Sequence, residues 1–228
     1  MNMKKGIALL AGFMLAFSIF LTGCGGTDNT RKENHSDGSA EVKNKKDNNT
    51  SDEYVEDGLL LKVGEWTKDK DYDTKVTLEK IATPKIKVDL GDLNMLIKDV
   101  KIFKRENVSD AEKEEFSGGK VPVTDPYYTI QVKYDLENTG KNALNFNGID
   151  YIITDQKQQI DVMTDNIGIN GVFTVQPDVI VEDEYVICIL KKDNVDKINK
   201  VTIKTSPVYN SETYDEITKS MTINIEFK

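Results

Sequence analysis

The sequence predicts an all-β domain built as an antiparallel β-sandwich, and three observations support this fold class. After Leu59, apolar and polar residues alternate with a period of two, which is typical of half-buried antiparallel strands. About ten such segments are separated by turn-forming residues roughly every eight to twelve positions, as in sandwich folds. The sequence contains no helical repeat, heptad or alternation of strands with helices, so a parallel-sheet fold is not expected.

The clearest strand is the segment YYTIQVKYDLEN. Its apolar residues 128, 130, 132, 134 and 136 share one face, and it ends at Asn138, Thr139 and Gly140, where Asn and Gly allow the chain to reverse. The last strand repeats the pattern at residues 221, 223, 225 and 227. The segment VIVEDEYVICIL is apolar on both sides of residues 182–184, which predicts two strands joined by a turn. Further strands are predicted in LLLKVGEW, KVTLEKI, KIKVDLG, LNMLIKDVKIF, IDYIIT, QIDVM, GVFTV and KVTIKT.

Helix signals are scarce. Ser109 followed by Glu112 forms a capping box, and Gly118 is available to end the helix. We therefore expect at most one short helix, inside a loop.

The start of the chain has the layout of a secretory signal. Lys4 and Lys5 precede about sixteen mostly apolar residues, fewer than the roughly 20 that span a bilayer. The sequence Leu21, Thr22, Gly23, Cys24 resembles the lipobox of bacterial lipoproteins. This resemblance implies that residues 1–23 are removed and that Cys24 carries a diacylglycerol. The alternative is an ordinary signal peptide with a chance cysteine.

Residues 24–58 are predicted to be a lipidated cysteine followed by a disordered polar tether. They hold almost no apolar side chains and mix both charges, so they bury too little surface to offset the entropy of ordering. A flexible chain of about 34 residues has a typical span near 30 Å. The folded domain, residues 59–228, is therefore expected close to the membrane.

Three segments of this domain resemble the immunoglobulin-like domain of a family of Gram-positive lipoproteins of unknown function. They are IKDVKIFK, the stretch from YTIQVKYDLENTGK to ITDQKQQI, and VEDEYVICIL. The Glu137, Asn138, Thr139, Gly140 sequence matches the family, whereas the later turn near Pro177 matches it loosely. The resemblance implies an immunoglobulin-like sandwich with extra N-terminal strands, and it carries no catalytic residue over to this chain.

Composition excludes several kinds of site. Removing residues 1–23 takes away two lysines and no acidic residue, so the formal charge of −9 becomes −11, which disfavours nucleic acid and anionic lipid as partners. With Cys24 acylated, Cys188 has no disulfide partner, and its apolar surroundings predict a buried core residue rather than a reactive thiol. His35 lies in the tether and is the only histidine. We therefore predict no catalytic, cofactor-binding or metal-binding residues.

Three weaker candidates have simpler interpretations. Asp69, Asp71 and Asp73 alternate as at the start of a calcium loop, but Thr74 and Lys80 stand where an EF-hand has Gly and Glu, so a solvated acidic turn is expected. Pairs of carboxylates for glycoside hydrolysis occur by chance among 39 acidic residues, and no pair is singled out. The single tryptophan is expected to plug one end of the core, with an exposed anchor for sugar or protein as the alternative.

Two long loops form the candidate interaction surface. FSGGKVPVTDPYY and SPVYNSETYDEITK have the Gly, Ser, Asn and Tyr content of contact surfaces. If successive strands alternate in direction, both loops lie at one end of the sandwich, and Tyr127, Tyr209 and Tyr214 form a rim there. The alternative is that these tyrosines cover only the domain's own surface.

The sequence thus predicts a lipid-anchored, non-catalytic binding module on the outer face of the cytoplasmic membrane. Its expected partner is an unidentified membrane or envelope protein. Two alternatives are a wall-polysaccharide enzyme that uses paired carboxylates, and a calcium- or ligand-sensing lipoprotein.

Overall fold

The computed structural model describes residues 53–56 and 58–227. The predicted signal segment, Cys24 and most of the predicted tether lie outside the described residues. The strands are β1 Trp66–Lys68, β2 Lys75–Ala82, β3 Ile86–Leu90, β4 Leu93–Glu106, β5 Tyr127–Asn138, β6 Leu144–Phe146, β7 Ile149–Thr154, β8 Gln159–Asp161, β9 Asn166–Asn170, β10 Thr174–Val175, β11 Ile180–Leu190, β12 Lys200–Thr205, β13 Val208–Asn210, β14 Glu216–Thr218 and β15 Thr222–Glu226. The helices are α1 Asp110–Glu115 and α2 Val162–Asp165, with a 3-10 turn at Val195–Lys197.

The strands form the all-β antiparallel sandwich that the sequence predicts. The first sheet has the order β1-β2-β4-β5-β11-β9, with β3 also paired to β4, and the second has the order β15-β12-β7-β8. Within these, β4-β5-β11-β9 and β15-β12-β7-β8 reproduce the strand order of the two sheets of an immunoglobulin-like sandwich. Strands β1 to β3 are the extra N-terminal strands. A separate four-stranded sheet, β10-β6-β13-β14, lies at one end and is called the end sheet below.

The core lies between the two large sheets. The predicted period of two is confirmed in β5, where Ile130 and Val132 are fully buried while the residues between them are partly exposed. Opposite them, Val201 and Ile203 of β12 are also fully buried. Cys188 is buried in β11 as predicted, and burial raises the pKa of its thiol to about 12. A thiol in this position is packed as an apolar core group.

Strand β11 differs from the prediction of two strands joined by a turn. It is one strand, because residues on both sides of the acidic stretch pair with β5, and a β-bulge lies between Val181 and Glu184. Asp183 lies in this bulge and has a left-handed backbone conformation, with φ 64°. The bulge turns Asp183 outward and brings Glu184 opposite Tyr134 on the buried face.

The segment before β1 follows the first sheet without forming the predicted strand over LLLKVGEW. Only β1 is regular, and Leu60 is buried. Residues of the predicted tether pair here, since the Val55 N–H donates to the Trp66 carbonyl at 2.8 Å and the Trp66 N–H donates to the Glu53 carbonyl at 3.0 Å. The Trp66 ring is half-buried, with the Tyr54 ring 4.8 Å away and Lys75 Nζ 4.9 Å from its centre. Residues 53–55, which the sequence assigns to the tether, therefore pair with the folded domain.

The helix prediction is confirmed at α1 and incomplete elsewhere. Ser109 Oγ accepts a hydrogen bond from the Glu112 N–H at 3.1 Å, as a helix N-cap does. The structure has a second short helix, α2, where one was the predicted maximum. It begins where Asp161 caps the Met163 N–H at 3.1 Å, inside the predicted strand QIDVM. None of the helices among residues 53–56 and 58–227 has the length and apolarity that crossing a bilayer requires.

Candidate binding surface

The end sheet is built from three connections: one joins the two large sheets, one joins two strands of the first sheet, and one joins two strands of the second sheet. Strand β6 belongs to the β5–β7 connection, β10 to the β9–β11 connection, and β13 with β14 to the β12–β15 connection. The three connections therefore meet at one end of the sandwich and pair with each other. Loops that pair in this way present their side chains from a fixed backbone, as a binding surface requires.

One face of the end sheet closes the core and the other faces outward. Leu144, Phe146 and Val208 are buried on the inner face. Across the outer face, Thr174 is opposite Asn145, and Asn145 is opposite Tyr209. The Thr174 hydroxyl donates to Asn145 Oδ1 at 2.8 Å, so this row combines hydrogen-bonding groups with an aromatic ring.

The turn between β13 and β14 holds Tyr214 outward. Asn210 Oδ1 accepts hydrogen bonds from the N–H groups of Glu212 at 2.9 Å and Thr213 at 3.0 Å, and the Tyr214 N–H donates to the Asn210 carbonyl at 3.0 Å. Tyr214 itself adopts a left-handed conformation, with φ 60°, and its side chain is 74% exposed. A tyrosine on a braced turn gives a large contact area at little cost in conformational entropy.

Asn138 joins the connections behind this surface. Its amide nitrogen donates to the carbonyls of Asn142 at 2.9 Å and Val175 at 3.0 Å, and its Oδ1 accepts from the Gly140 N–H at 2.9 Å. The Thr139 N–H donates to the Asp92 carbonyl at 2.8 Å. From the sequence, residues 138–140 are predicted to form a turn and are part of the resemblance to the lipoprotein family. Their role as a link between distant loops had no local signal, because the acceptor Val175 is 37 residues away.

Exposed apolar side chains flank the outer face of the end sheet. Val172 and Phe173 precede β10, and Tyr214, Ile217 and Met221 belong to the β12–β15 connection. An aromatic and apolar surface next to polar hydrogen-bonding groups is the composition of many protein contact sites.

The structure does not bring the three tyrosines of the predicted rim together. Tyr209 and Tyr214 belong to the end sheet, whereas Tyr127 lies at the start of β5, at the end of the sandwich that holds α1. Tyr127 is 2% exposed. This corrects the predicted rim, which assumed that the chain reverses at every strand. In fact β8 and β9 run in the same direction, because α2 carries the chain from one sheet to the other.

Tyr127 instead belongs to a buried ionic cluster beneath α1. Its hydroxyl donates to Glu112 Oε1 at 2.7 Å, and Arg105 donates to the same oxygen from Nε at 2.9 Å. Arg105 Nη2 also contacts Asp69 Oδ2 at 2.7 Å, and the Thr74 hydroxyl donates to Glu112 Oε2. The sequence had singled out Glu112 as a capping residue. Its carboxylate here holds α1 against two strands, β4 and β5, and against the β1–β2 turn.

The acidic residues named in the sequence are engaged with cations. Although burial opposes the shift, the hydrogen bond from Arg105 lowers the pKa of Asp69. Asp73 Oδ1 pairs with Lys68 Nζ at 2.7 Å, and Asp69 Oδ1 accepts from the Asp71 N–H at 3.0 Å. Among the described residues, no group of three or more His, Cys, Asp or Glu side chains is placed to hold a metal ion.

An open groove of about 280 Å³ on the outer face of the first sheet bears on the carboxylate-pair alternative. Asp135, Glu137 and Glu182 line it, around Leu96 and Ile180. Two of these acids face lysines, because Asp135 Oδ1 is 3.1 Å from Lys98 Nζ and Glu137 Oε2 is 3.7 Å from Lys87 Nζ. The carboxylates of Asp135 and Glu137 are therefore each paired with a lysine in this groove.

No family model matches the chain, and no curated protein matches its sequence. Solved structures similar to this one include the crystal structure of a functionally unknown protein from Listeria monocytogenes EGD-e. The two chains share 11% sequence identity over 68% of this chain and 88% of the other, with a TM-score of 0.49.

Proposed function

We propose that this protein is a lipid-anchored, non-catalytic binding module at the outer face of the cytoplasmic membrane. We further propose that it holds a membrane or envelope protein through the end sheet. The anchor is argued from the Leu21, Thr22, Gly23, Cys24 sequence, which resembles a lipobox, and from the polar segment that follows it. Two or three acyl chains on one residue hold a protein at a membrane stably, whereas a single chain binds marginally.

The observation that carries the proposal is the distance between the end sheet and the point where the tether enters. The tether reaches the domain at β1, where Trp66 is opposite Thr77 of β2. Thr77 is opposite Lys104 of β4, and Lys104 is opposite Tyr128 at the start of β5. The end sheet begins beyond Asn138, at the other end of β5. Tyr128 and Asn138 are ten residues apart along β5, so about 33 Å separates the point where the tether enters from the end sheet. The membrane attachment therefore leaves the end sheet free for a partner.

The character of the end sheet favours a protein as the partner. Its outer face combines Tyr209, Tyr214 and Phe173 with Thr174, whose hydroxyl donates to the buried Asn145, and aromatic residues are enriched where proteins contact one another. The acidic chain has a formal charge of −9, which disfavours nucleic acid and anionic lipid headgroups.

Metabolic fatty-acid labelling tests the anchor. We expect the natural chain to be labelled and recovered with membranes, and the Cys24→Ala chain to be unlabelled. The Cys188→Ala chain is the control, because it removes the other cysteine and keeps the lipobox. A Cys24→Ala chain that is still labelled would show that the lipid, and with it the anchor argument, has been misassigned.

Photo-crosslinking in living cells tests the binding surface. A photoreactive phenylalanine analogue replaces Tyr214 in one strain and Met163 in another. Met163 is 89% exposed and lies at α2, away from the end sheet, so it is a matched control. We expect a discrete adduct with another protein from position 214 only. Adducts of equal yield from both positions, or none from position 214, would count against the end sheet as the binding surface.

A further inference from the structure

The free edge of β9 differs from the other sheet edges of this domain. In the described residues β9 pairs with β11 alone, so its second edge offers unpaired backbone N–H and C=O groups. Natural proteins protect such edges with charged residues, and the other edge strands of more than two residues follow this rule. These strands and their charges are β1 with Lys68, β3 with Lys87 and Asp89, β8 with Asp161, β14 with Glu216 and β15 with Glu226.

No charged side chain lies on β9, and the one irregularity in its pairing with β11 is a β-bulge at Ile167. Residues 166–177 form the longest uncharged run after Cys24, in a chain that is 30% charged. Ile169 is 54% exposed, and Val172 and Phe173 are exposed just beyond the strand. An uncharged, apolar, unpaired edge readily accepts another strand.

The sequence of β9 reads the same in both directions: Asn166, Ile167, Gly168, Ile169, Asn170. Antiparallel pairing of two such strands about Gly168 places Gly168 of one copy opposite Gly168 of the other. Ile167 of each copy is then opposite Ile169 of the other copy. Asn166 of each copy is likewise opposite Asn170 of the other. The Asn166 amide nitrogen already donates to the Val162 carbonyl at 2.7 Å, so Asn166 Oδ1 is the group that can accept from Asn170 across the strands. Such pairing is the self-complementary contact of a two-fold dimer, and no like charges meet in it.

We propose that β9 is a dimerisation edge, at which two copies of this chain pair antiparallel about Gly168 and join their first sheets. This inference goes beyond the proposed function and does not depend on the lipid anchor. The end sheets are not used in the contact, and the antiparallel arrangement places one at each end of the dimer. A dimer of this form would offer two binding surfaces.

Cysteine crosslinking tests the proposed register. Residues opposite each other in an antiparallel pair have Cα atoms about 4.5 to 5.5 Å apart, within the range that a disulfide spans. A Cβ at Gly168 meets only Ile187, at 3.5 Å or more, so Gly168→Cys is compatible with the fold. We expect full-length Gly168→Cys protein in isolated membranes to form a disulfide-linked homodimer under mild oxidation.

The matched control lies on the same strand. In the proposed register, two copies of residue 170 are about 13 Å apart, too far for a disulfide. Asn170→Cys is therefore expected to stay monomeric, and to form a dimer when mixed with Asn166→Cys. The natural chain measures the background of disulfide-linked dimer formed through Cys24 or the buried Cys188.

A charge on the edge gives a second, independent measurement. Adding Ile169→Lys to the Gly168→Cys chain should reduce the homodimer by about tenfold or more, whereas adding Met163→Lys should leave it unchanged. Three results would overturn the proposal: no homodimer from Gly168→Cys, equal dimer from Asn170→Cys alone, or an adduct with a different protein in place of the homodimer.

Discussion

At the scale of single residues, two buried glutamates serve different purposes. Glu112 is fully buried and is satisfied by Arg105, Thr74 and Tyr127. Glu184 is 3% exposed, accepts a backbone hydrogen bond from Val172, and has one carboxylate oxygen without a partner in the described part of the chain. Glu112 thus holds α1 against the sandwich, whereas Glu184, beside the β11 bulge, keeps one carboxylate oxygen without a hydrogen-bond partner in the described part of the chain.

Removing Glu112 is expected to destabilise the fold strongly. Glu112→Ala leaves the buried Arg105 charge with fewer partners, so the free energy of unfolding should fall by about 3 to 5 kcal/mol. Glu114→Ala, an exposed glutamate of the same helix, should change it by less than about 0.5 kcal/mol. Urea titration of both variants measures the difference. Equal effects of the two substitutions would mean that the cluster does not fasten α1.

The buried Glu184 is expected to make stability depend on pH. Burial raises the pKa of Glu184, so its contribution to stability is complete below the unfolded value of 4.5 and is lost as the pH rises through the folded value. Glu184→Gln removes this loss and should be more stable than the natural chain by about 1 kcal/mol at pH 7.5. The difference should shrink towards pH 4. A difference that does not vary with pH would contradict this assignment.

At the scale of elements, close backbone approaches shape the loops at the end sheet. Gly148, between β6 and β7, has φ 80°, and a Cβ there would lie 2.6 Å from the Tyr134 hydroxyl oxygen. The sequence predicted β7 after this turn but not the short strand β6 before it. It could not indicate the close approach, because Tyr134 belongs to β5 and reaches Gly148 only after the sandwich closes.

Alanine at Gly148 is therefore expected to be costly. Gly148→Ala combines an unfavourable positive φ with a clash against a buried ring, so the free energy of unfolding should fall by more than about 1 kcal/mol. Gly118→Ala is the control, since a Cβ at Gly118 has no neighbour within 4 Å. It should change stability by less than about 0.5 kcal/mol. Thermal unfolding of the two variants decides the matter, and a neutral Gly148→Ala would refute the argument.

At the scale of the whole molecule, the sandwich separates the segment at residues 53–55 from the end sheet. The segment at residues 53–55 pairs with Trp66 near the α1 end, and the end sheet closes the opposite end. The predicted tether of residues 24–58 therefore includes residues that belong to the folded domain. This division decides where the chain can be shortened without harming the fold.

Two deletions separate the tether from the fold. Deleting residues 26–52 should leave the melting temperature unchanged and reduce photo-crosslinking from position 214, because the domain loses its reach. Deleting residues 26–58 also removes the Tyr54 and Trp66 contact, so it should lower the melting temperature as well. If both deletions lower the melting temperature equally, the boundary at residue 53 is misplaced.

The sequence by itself determined the long strands with their buried faces, the turn at residues 138–140 and the start of α1 at Ser109, because each depends on neighbours a few positions away. It did not predict the short strands β6, β9, β13 and β14. The tertiary structure alone decided that VIVEDEYVICIL is one bulged strand, that Tyr127 is buried beside Arg105, and that three connections meet in the end sheet. These features depend on which distant strands pair and in which direction each runs. A period of two shows which face a side chain occupies, but it carries no information about the end of the sandwich at which a loop emerges.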